Sequence, residues 1–108
     1  MAGLGNNLPR FVNMGDIVIG NGEERFSTVL GSCIAIMMHD PSRKLGAMAH
    51  ILLPQRRVTS DEKIGKYADV AIPEMLEQLV KKGCEPRKIW AKLAGGAAMF
   101  NANAHFLI

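Results

Sequence analysis

The sequence of 108 residues has no apolar run long enough to cross a membrane. Its longest apolar stretch, residues 29–38, falls well short of the roughly 20 residues of a spanning helix, and Gly31 and Ser32 interrupt it. Residues 1–10 contain glycine, asparagine and proline but no apolar centre of a secretory signal peptide. We therefore expect a cytoplasmic protein that is not inserted in a membrane, with residues 1–10 as a flexible arm.

Cysteine is scarce too, with only Cys33 and Cys84 in the chain. Two cysteines without an export signal favour a reducing compartment over a disulfide-stabilised scaffold. Their spacing from His39, His50 and His105 matches no zinc-binding pattern, so no metal site is expected.

The charge balance is close to even, since 13 basic and 10 acidic residues leave a net charge of +3. The basic residues come as scattered pairs, and aromatic residues, which stack on single-stranded bases, make up only 6% of the chain. This distribution favours a solvated charged surface and leaves nucleic-acid binding as a minor alternative.

Two apolar runs, residues 34–38 and 45–53, are hydrophobic on both faces and predict buried strands. Between them Asp40 and Pro41 are typical turn residues, because an Asp side chain bonds the backbone that follows and Pro presets φ. The two runs are therefore expected to pair as an antiparallel hairpin. Shorter apolar runs predict further strands at 16–19, 89–93 and 104–108.

Apolar residues recur every three or four positions between 61 and 82, which predicts an amphipathic helix. Ser60 is a suitable N-cap and Gly83 a suitable residue just past the C-terminus. Pro73 removes a helical hydrogen bond, so we expect a kink at 69–72 or two short helices. The pattern as a whole predicts one domain over residues 11–108, shortened at its C-terminus because no turn or cap follows Phe106.

Cys33 follows a Gly-Ser pair at the start of an apolar run, where a nucleophile would be accessible. A hairpin centred on Pro41 and Ser42 would place His50 directly opposite Cys33, with the two side chains about 5 Å apart on one face. Such a pair suits nucleophilic catalysis, because imidazole accepts the thiol proton. The alternative stays open, since a free cysteine in an apolar strand is more often a core residue.

The other polar candidates have simpler interpretations. His39 is expected to be a solvated turn residue, and His105 to be packed or exposed rather than catalytic. A glycine pair such as Gly95 and Gly96 can cradle an oxyanion, but a plain tight turn is the favoured interpretation.

Specific motifs surround the candidate cysteine and histidine: Leu30-Gly31-Ser32-Cys33-Ile34-Ala35-Ile36, His39-Asp40-Pro41 and Gly46-Ala47-Met48-Ala49-His50-Ile51-Leu52-Leu53-Pro54. Together with Lys66-Tyr67-Ala68-Asp69, Ile72-Pro73 and the stretch 92–100, they resemble the CheD family of chemoreceptor glutamine deamidases. The resemblance covers residues 11–108.

The resemblance implies an α+β fold, a layered α/β sandwich with a mixed, largely antiparallel sheet and flanking helices. This fold is similar to the cysteine hydrolase domain of cytotoxic necrotizing factors. The family pattern assigns Cys33 as the nucleophile and His50 as its partner. It also requires an upstream hydroxyl to orient the imidazole, for which Thr28 is favoured over Ser27.

The resemblance further implies a cytoplasmic enzyme that hydrolyses glutamine side chains of chemotaxis receptors through a thioester, without a cofactor. Two other functions are weighed beside it. A shortened chain without activity would serve as an adaptor for chemotaxis proteins, such as the receptor or the phosphatase CheC. A general amidase would instead hydrolyse free glutamine or asparagine.

Overall fold

The computed structural model describes residues 8–55 and 63–96, and it contains two sheets and one long helix. Five strands precede the helix, and they are β1 (Arg10–Phe11), β2 (Ile17–Asn21), β3 (Phe26–Ser27), β4 (Ile34–Asp40) and β5 (Leu45–Ile51). A 3₁₀ turn (Ile64–Lys66), the helix α1 (Ala68–Lys81), a second 3₁₀ turn (Pro86–Lys88) and β6 (Trp90–Gly95) follow. The predicted strand at 104–108 and the predicted cap at Ser60 lie outside the described residues.

The main sheet has four antiparallel strands in the order β2-β5-β4-β6, and β1 pairs with β3 in a small parallel sheet. The predicted α+β class with a mixed, largely antiparallel sheet is confirmed. Arg10, placed in the predicted flexible arm, is the first residue of β1. A parallel pair of two residues each has no periodicity that sequence inspection could detect.

The predicted hairpin is present, but its register differs from the predicted one. Asp40 pairs with Leu45, so the turn holds four residues and Ala35, not Cys33, lies directly opposite His50. Lys44 closes the turn with φ of 55°, a left-handed conformation that a lysine seldom adopts. The predicted two-residue turn at Pro41 and Ser42 was therefore wrong, and each residue of β5 pairs with a residue of β4 two positions later than predicted.

The turn chemistry predicted for Asp40 is confirmed. One carboxylate oxygen accepts hydrogen bonds from the Ser42 amide at 2.9 Å, the Ser42 hydroxyl at 2.6 Å and the Arg43 amide at 3.3 Å. Asp40 itself is completely buried, as its side chain points toward the same face as the core. These bonds satisfy Oδ1 of a charged group that is costly to bury, whereas the buried Oδ2 accepts no bond from a nitrogen or oxygen atom of the described residues.

Helix α1 packs on one face of the main sheet and completes the hydrophobic core. Its buried residues recur at four-residue spacing and contact apolar side chains from β4 and β5: Ala71, Met75 and Leu79 from the helix, and Ile36, Met38, Ala47, Ala49 and Ile51 from the sheet. The helix runs without interruption through Pro73, and its break from the preceding 3₁₀ turn lies at Tyr67. The predicted division into two helices at Pro73 was therefore wrong, and the α-helix begins at Ala68 rather than at residue 61. Among the described residues, no helix has the length and apolarity to span a membrane.

The opposite face of the sheet carries the candidate chemistry. Strand alternation places Ala35, Met37 and His39 of β4 on this face, together with Met48 and His50 of β5. Thr28, which directly follows β3, contacts His50 on this face.

Candidate functional site

Cys33 lies at the junction between a loop and β4, as the sequence predicts. The residue is 8% exposed, whereas the preceding Gly31 and Ser32 are exposed. The Cys33 carbonyl accepts a hydrogen bond of 2.8 Å from the Gly96 amide at the end of β6. The buried Cys33 thus directly follows an exposed loop, and its backbone is anchored to the end of β6.

His50 occupies the last part of β5 and is 6% exposed. Its backbone is fixed on the edge that faces β2, because the His50 carbonyl accepts a bond of 2.9 Å from the Gly15 amide. The His50 amide donates to the Asp16 carbonyl at 3.3 Å. The imidazole thus stands on a rigid strand, which favours a defined ring position.

The Thr28 hydroxyl binds the imidazole of His50. Thr28 Oγ1 lies 2.9 Å from His50 Nδ1 and donates its own proton to the Val12 carbonyl at 2.7 Å. A hydroxyl has a single proton, so the oxygen of Thr28 accepts from Nδ1–H of His50. The neutral imidazole consequently keeps its proton on Nδ1 and its lone pair on Nε2. His50 Nε2 is buried and has no hydrogen-bond partner within the described ranges.

Cys33 and His50 lie on the same face despite the corrected register. Cys33 precedes Ala35 by two residues, and Ala35 is directly opposite His50. A register shift of two preserves the face, so the two residues are diagonal neighbours rather than a direct pair. Diagonal neighbours have Cα atoms about 7–8 Å apart. Cys33 Sγ does not form a hydrogen bond with His50 Nε2 in this structure.

The structure distinguishes between the two hydroxyls that the sequence left open. Thr28 contacts the His50 ring, whereas Ser27 is exposed in β3 and its carbonyl accepts from the Val12 amide at 2.8 Å. Neighbouring positions of an extended segment point to opposite sides, which explains why only one of the two hydroxyls reaches the ring. Val12 is fully buried and contacts both Ser27 and Thr28 through its backbone.

The second cysteine lies on the other face of the sheet, at the C-terminal end of α1. Cys84 is 3% exposed and its thiol interacts with the Asp40 carboxylate. Burial, and then the hydrogen bond to this carboxylate, raises the pKa of the Cys84 thiol. The Ser42 hydroxyl bond is the largest cause that lowers the pKa of Asp40. Sequence reasoning missed this pair, since no local pattern joins residues so far apart.

His39 differs from its predicted environment, whereas the prediction for His105 lies outside the described residues. His39 lies within β4 rather than in the turn, and its ring meets the edge of Trp90 at 5.3 Å. The Gly96 amide is used by the Cys33 carbonyl, so it does not serve as an oxyanion donor.

A cleft of about 310 Å³ lies on the His50 side of the sheet, with Phe26, Met37 and Trp90 in its wall. In residues 8–55 and 63–96, no cluster of His, Cys, Asp and Glu side chains could hold a metal ion.

The structure thus defines an α+β protein with a cysteine, a histidine and a threonine near one end of one face of its main sheet. Residues 52–107 match the family model described as CheD chemotactic sensory transduction. The chain therefore belongs to the CheD family.

Curated relatives extend the match to most of the chain. A protein of Methanococcus vannielii named "Probable chemoreceptor glutamine deamidase CheD" is 51% identical over 94 residues, which are 87% of this chain and 61% of that protein. The "Chemoreceptor glutamine deamidase CheD" of Thermotoga maritima is 49% identical over 73 residues, 68% of this chain and 46% of that protein. The "Probable chemoreceptor glutamine deamidase CheD" of Clostridium novyi is 41% identical over 92 residues, 83% of this chain and 57% of that protein. The chain thus spans about half to three fifths of the length of these relatives.

Proposed function

We propose that this chain contains the reactive centre of a protein-glutamine deamidase. Its substrates would be glutamine side chains on the cytoplasmic helices of chemotaxis receptors, and its products glutamate and ammonia. The names of the relatives from Methanococcus vannielii and Thermotoga maritima support the reaction and the substrate class. The arrangement of Cys33, His50 and Thr28 supports the mechanism.

In the first half-reaction, His50 Nε2 accepts the proton of the Cys33 thiol. The sulfur attacks the side-chain carboxamide carbon of the glutamine, and the carbonyl becomes a tetrahedral oxyanion. The protonated imidazole then donates its Nε2 proton to the amide nitrogen. The carbon–nitrogen bond breaks, ammonia leaves, and a thioester joins the substrate to Cys33.

In the second half-reaction, His50 Nε2 accepts a proton from water, and the hydroxide oxygen attacks the thioester carbon. The carbon–sulfur bond breaks, the proton returns to the sulfur, and the new carboxyl group ionises. Nδ1 keeps its proton in both half-reactions, since the Thr28 oxygen accepts it throughout. Thr28 is therefore a positioning residue, and the reaction needs no cofactor.

The backbone amide of Cys33 is the donor we assign to the oxyanion. Among the described residues, this amide donates no hydrogen bond, although the Cys33 carbonyl next to it is bonded. An amide of the nucleophile itself lies close to the carbon under attack, as an oxyanion donor must. The amide of Ser32 in the same exposed loop is the second candidate donor.

One observation carries the proposal: Thr28 holds Nδ1 of His50, and Nε2 on the same sheet face as Cys33 has no partner. A histidine with a purely structural role would be expected to use both ring nitrogens when it is 94% buried, because an orphaned buried acceptor costs free energy. An unused acceptor on the same sheet face as a cysteine is available to act as a general base once the Cys33 thiol comes within hydrogen-bond distance of it.

Deamidation would alter the receptor through electrostatics. Each event replaces a neutral amide by a carboxylate on a helical bundle, and the added negative charge changes the repulsion between neighbouring helices. The cleft beside Phe26 and Trp90 lies on the same sheet face as His50, toward the opposite end of β4 from Cys33.

The test is the intact mass of a receptor cytoplasmic fragment after incubation with this protein. Each glutamine converted to glutamate adds about 1 Da, because an NH₂ group is replaced by OH. We expect the gain with the wild-type chain and with Cys84→Ala, and its loss with Cys33→Ala.

Three results would contradict the proposal. A Cys33→Ala variant that still deamidates would exclude Cys33 as the nucleophile. No mass gain from a wild-type chain shown to be folded would favour the adaptor function, which a pull-down with the receptor fragment or the phosphatase CheC would then measure. Release of ammonia from free glutamine alone would identify a general amidase instead.

A further inference from the structure

Two consecutive glycines lie where β6 ends beside Cys33. Gly95 has φ of 92° and Gly96 has φ of 76°, so both adopt the left-handed conformation that favours glycine. The register pairs Gly95 with Ile34, which places Gly96 next to Cys33 in the continuing ladder. The glycines therefore face the backbone of the candidate nucleophile.

A regular antiparallel ladder would join Cys33 and Gly96 by two hydrogen bonds. In an antiparallel ladder, pairs that exchange two hydrogen bonds alternate with pairs that exchange none. Ile34 and Gly95 form a pair without mutual bonds, so the adjacent pair, Cys33 and Gly96, would exchange two amide-to-carbonyl bonds. Only one of these bonds forms here, from the Gly96 amide to the Cys33 carbonyl at 2.8 Å. The reverse bond, from the Cys33 amide to the Gly96 carbonyl, is absent within the described residues.

The space around Gly95 shows that this conformation requires glycine. A Cβ atom built on Gly95 would stand 2.5 Å from the Cys33 carbonyl oxygen and 2.9 Å from Cδ1 of Leu30. The first contact involves backbone, which cannot move aside as a flexible side chain can. A side chain at 95 is therefore incompatible both with the local φ and with the position of the Cys33 peptide.

We propose that Gly95 and Gly96 act as a positioning device that fixes the Cys33 carbonyl and releases the Cys33 amide to serve as oxyanion donor. At the left-handed backbone of the two glycines the Gly96 amide stays bonded to the Cys33 carbonyl, and the Gly96 carbonyl accepts no bond from the Cys33 amide. One half of the ladder pair holds the nucleophile, and the other half remains free for the substrate. This inference rests on the proposed deamidase function and adds a role for residues of β6 to it.

The backbone claim is tested directly by NMR on the wild-type chain, without any variant. A trans-hydrogen-bond scalar coupling is expected between the Gly96 amide nitrogen and the Cys33 carbonyl carbon. No such coupling is expected between the Cys33 amide nitrogen and the Gly96 carbonyl carbon. Detection of the second coupling would overturn the proposal, because the amide would then be engaged by the ladder.

The functional claim is tested with Gly95→Ala. Alanine prefers an extended backbone, so β6 should continue as a regular strand past residue 95. The Gly96 carbonyl should then accept a hydrogen bond from the Cys33 amide. Loss of one oxyanion donor typically lowers kcat by about 10²–10³-fold, and we expect such a loss in receptor deamidation with little change in KM. Alkylation of the Cys33 thiol by iodoacetamide forms no oxyanion, so its rate should change by less than about threefold.

Gly83→Ala is the matched control. Gly83 also has a left-handed φ, of 102°, but it follows α1 and its added Cβ would meet only the end of the Arg43 side chain. We expect this variant to lose stability and to keep kcat. A Gly95→Ala variant with unchanged kcat, or with equal losses in deamidation and alkylation, would overturn the proposal. If the wild-type chain shows no deamidation, the NMR couplings still decide the backbone claim, which separates its failure from that of the proposed function.

Discussion

The two cysteines of this chain illustrate how neighbours decide the chemistry of one residue type. Cys33 lies at a strand end on the face of His50, whose Nε2 lacks a partner in the described part of the chain. Cys84 lies on the opposite face beside the buried carboxylate of Asp40. Both thiols are more than 90% buried, so exposure alone does not distinguish them.

The difference lies in what each thiol would give its proton to. A base stabilises the thiolate by accepting the proton, whereas a carboxylate repels the thiolate and raises the pKa of the thiol. Cys84 is thereby kept as a neutral donor that helps to satisfy Asp40. Burial of a cysteine is thus compatible with either role, and the neighbouring group determines which role the residue can perform.

The largest effect is expected from His50→Gln, which keeps a polar side chain at this position but removes the base. General acid–base catalysis contributes about 10²–10⁴-fold, and we expect kcat for receptor deamidation to fall by that factor. The rate is measured from the mass gain of the receptor fragment. Combining His50→Gln with Cys33→Ala should cost little more than Cys33→Ala alone, since the two residues act as a unit. Additive losses would contradict the pairing.

The next effect compares the two thiols directly. In the folded chain at pH 7.5, iodoacetamide is expected to label Cys33 at least about tenfold faster than Cys84, because the raised pKa of Cys84 lowers its thiolate fraction. Peptide mapping by mass spectrometry measures both rates in one sample. Labelling in 8 M urea is the control, where the two rates should converge. Equal rates in the folded chain would show that the neighbours do not tune the thiols.

Much of this fold could be predicted from sequence, because its periodic segments are long. The spacing of Ala71, Met75 and Leu79 predicts the buried face of α1, and the two-sided apolar runs predict β4 and β5. The register could not be predicted, since Lys44 in a left-handed conformation carries none of the glycine or asparagine signals of such turns. The division into two helices at Pro73 was wrong for a different reason, because packing of α1 on the sheet outweighs the loss of one helical bond.

The candidate site was only half accessible to sequence reasoning. Cys33 and His50 lie on one face in both the predicted and the observed register, because a register shift of two residues does not change the face of a side chain. The Thr28 contact depends on β1 and β3, which are two residues long and produce no pattern. The Cys84 and Asp40 pair depends on α1 returning the chain to the hairpin turn, a tertiary contact that no local spacing encodes.

A smaller effect is expected from Thr28→Val, which has the same shape but neither donates to Val12 nor accepts from His50. The imidazole then loses the bond that fixes its tautomer, and we expect kcat to fall about tenfold with Nε2 protonated in part of the molecules. Nitrogen chemical shifts of His50 measure the tautomer directly. Thr28→Ser keeps the hydroxyl and should restore most of both signals, whereas an unchanged tautomer in Thr28→Val would exclude the positioning role.

The smallest effect concerns the second cysteine and its carboxylate. The pKa of Asp40 is lowered in the folded chain, chiefly by the Ser42 hydroxyl, so its bonds stabilise the fold above the ordinary aspartate pKa of about 4. This contribution is lost as pH falls through the lower, folded-state value. The urea midpoint of wild type should therefore exceed that of Asp40→Asn by a constant gap between pH 5 and 8, and the gap should narrow below pH 4.

The same variant also reports on Cys84, because it removes the negative charge that raises the pKa of the thiol. At pH 7.5 without denaturant, iodoacetamide should label Cys84 faster in Asp40→Asn than in wild type. The labelling rate of Cys33 on the other face should stay the same. Ser42→Ala is the matched control, since it removes the strongest bond to Asp40 but keeps the carboxylate beside Cys84. A stability gap as wide at pH 3 as at pH 7 would contradict the lowered pKa of Asp40. A labelling rate of Cys84 that is the same in wild type and Asp40→Asn would show that burial alone makes this thiol unreactive. The contrast with Cys33 would then rest on the presence of His50 and not on opposing neighbours.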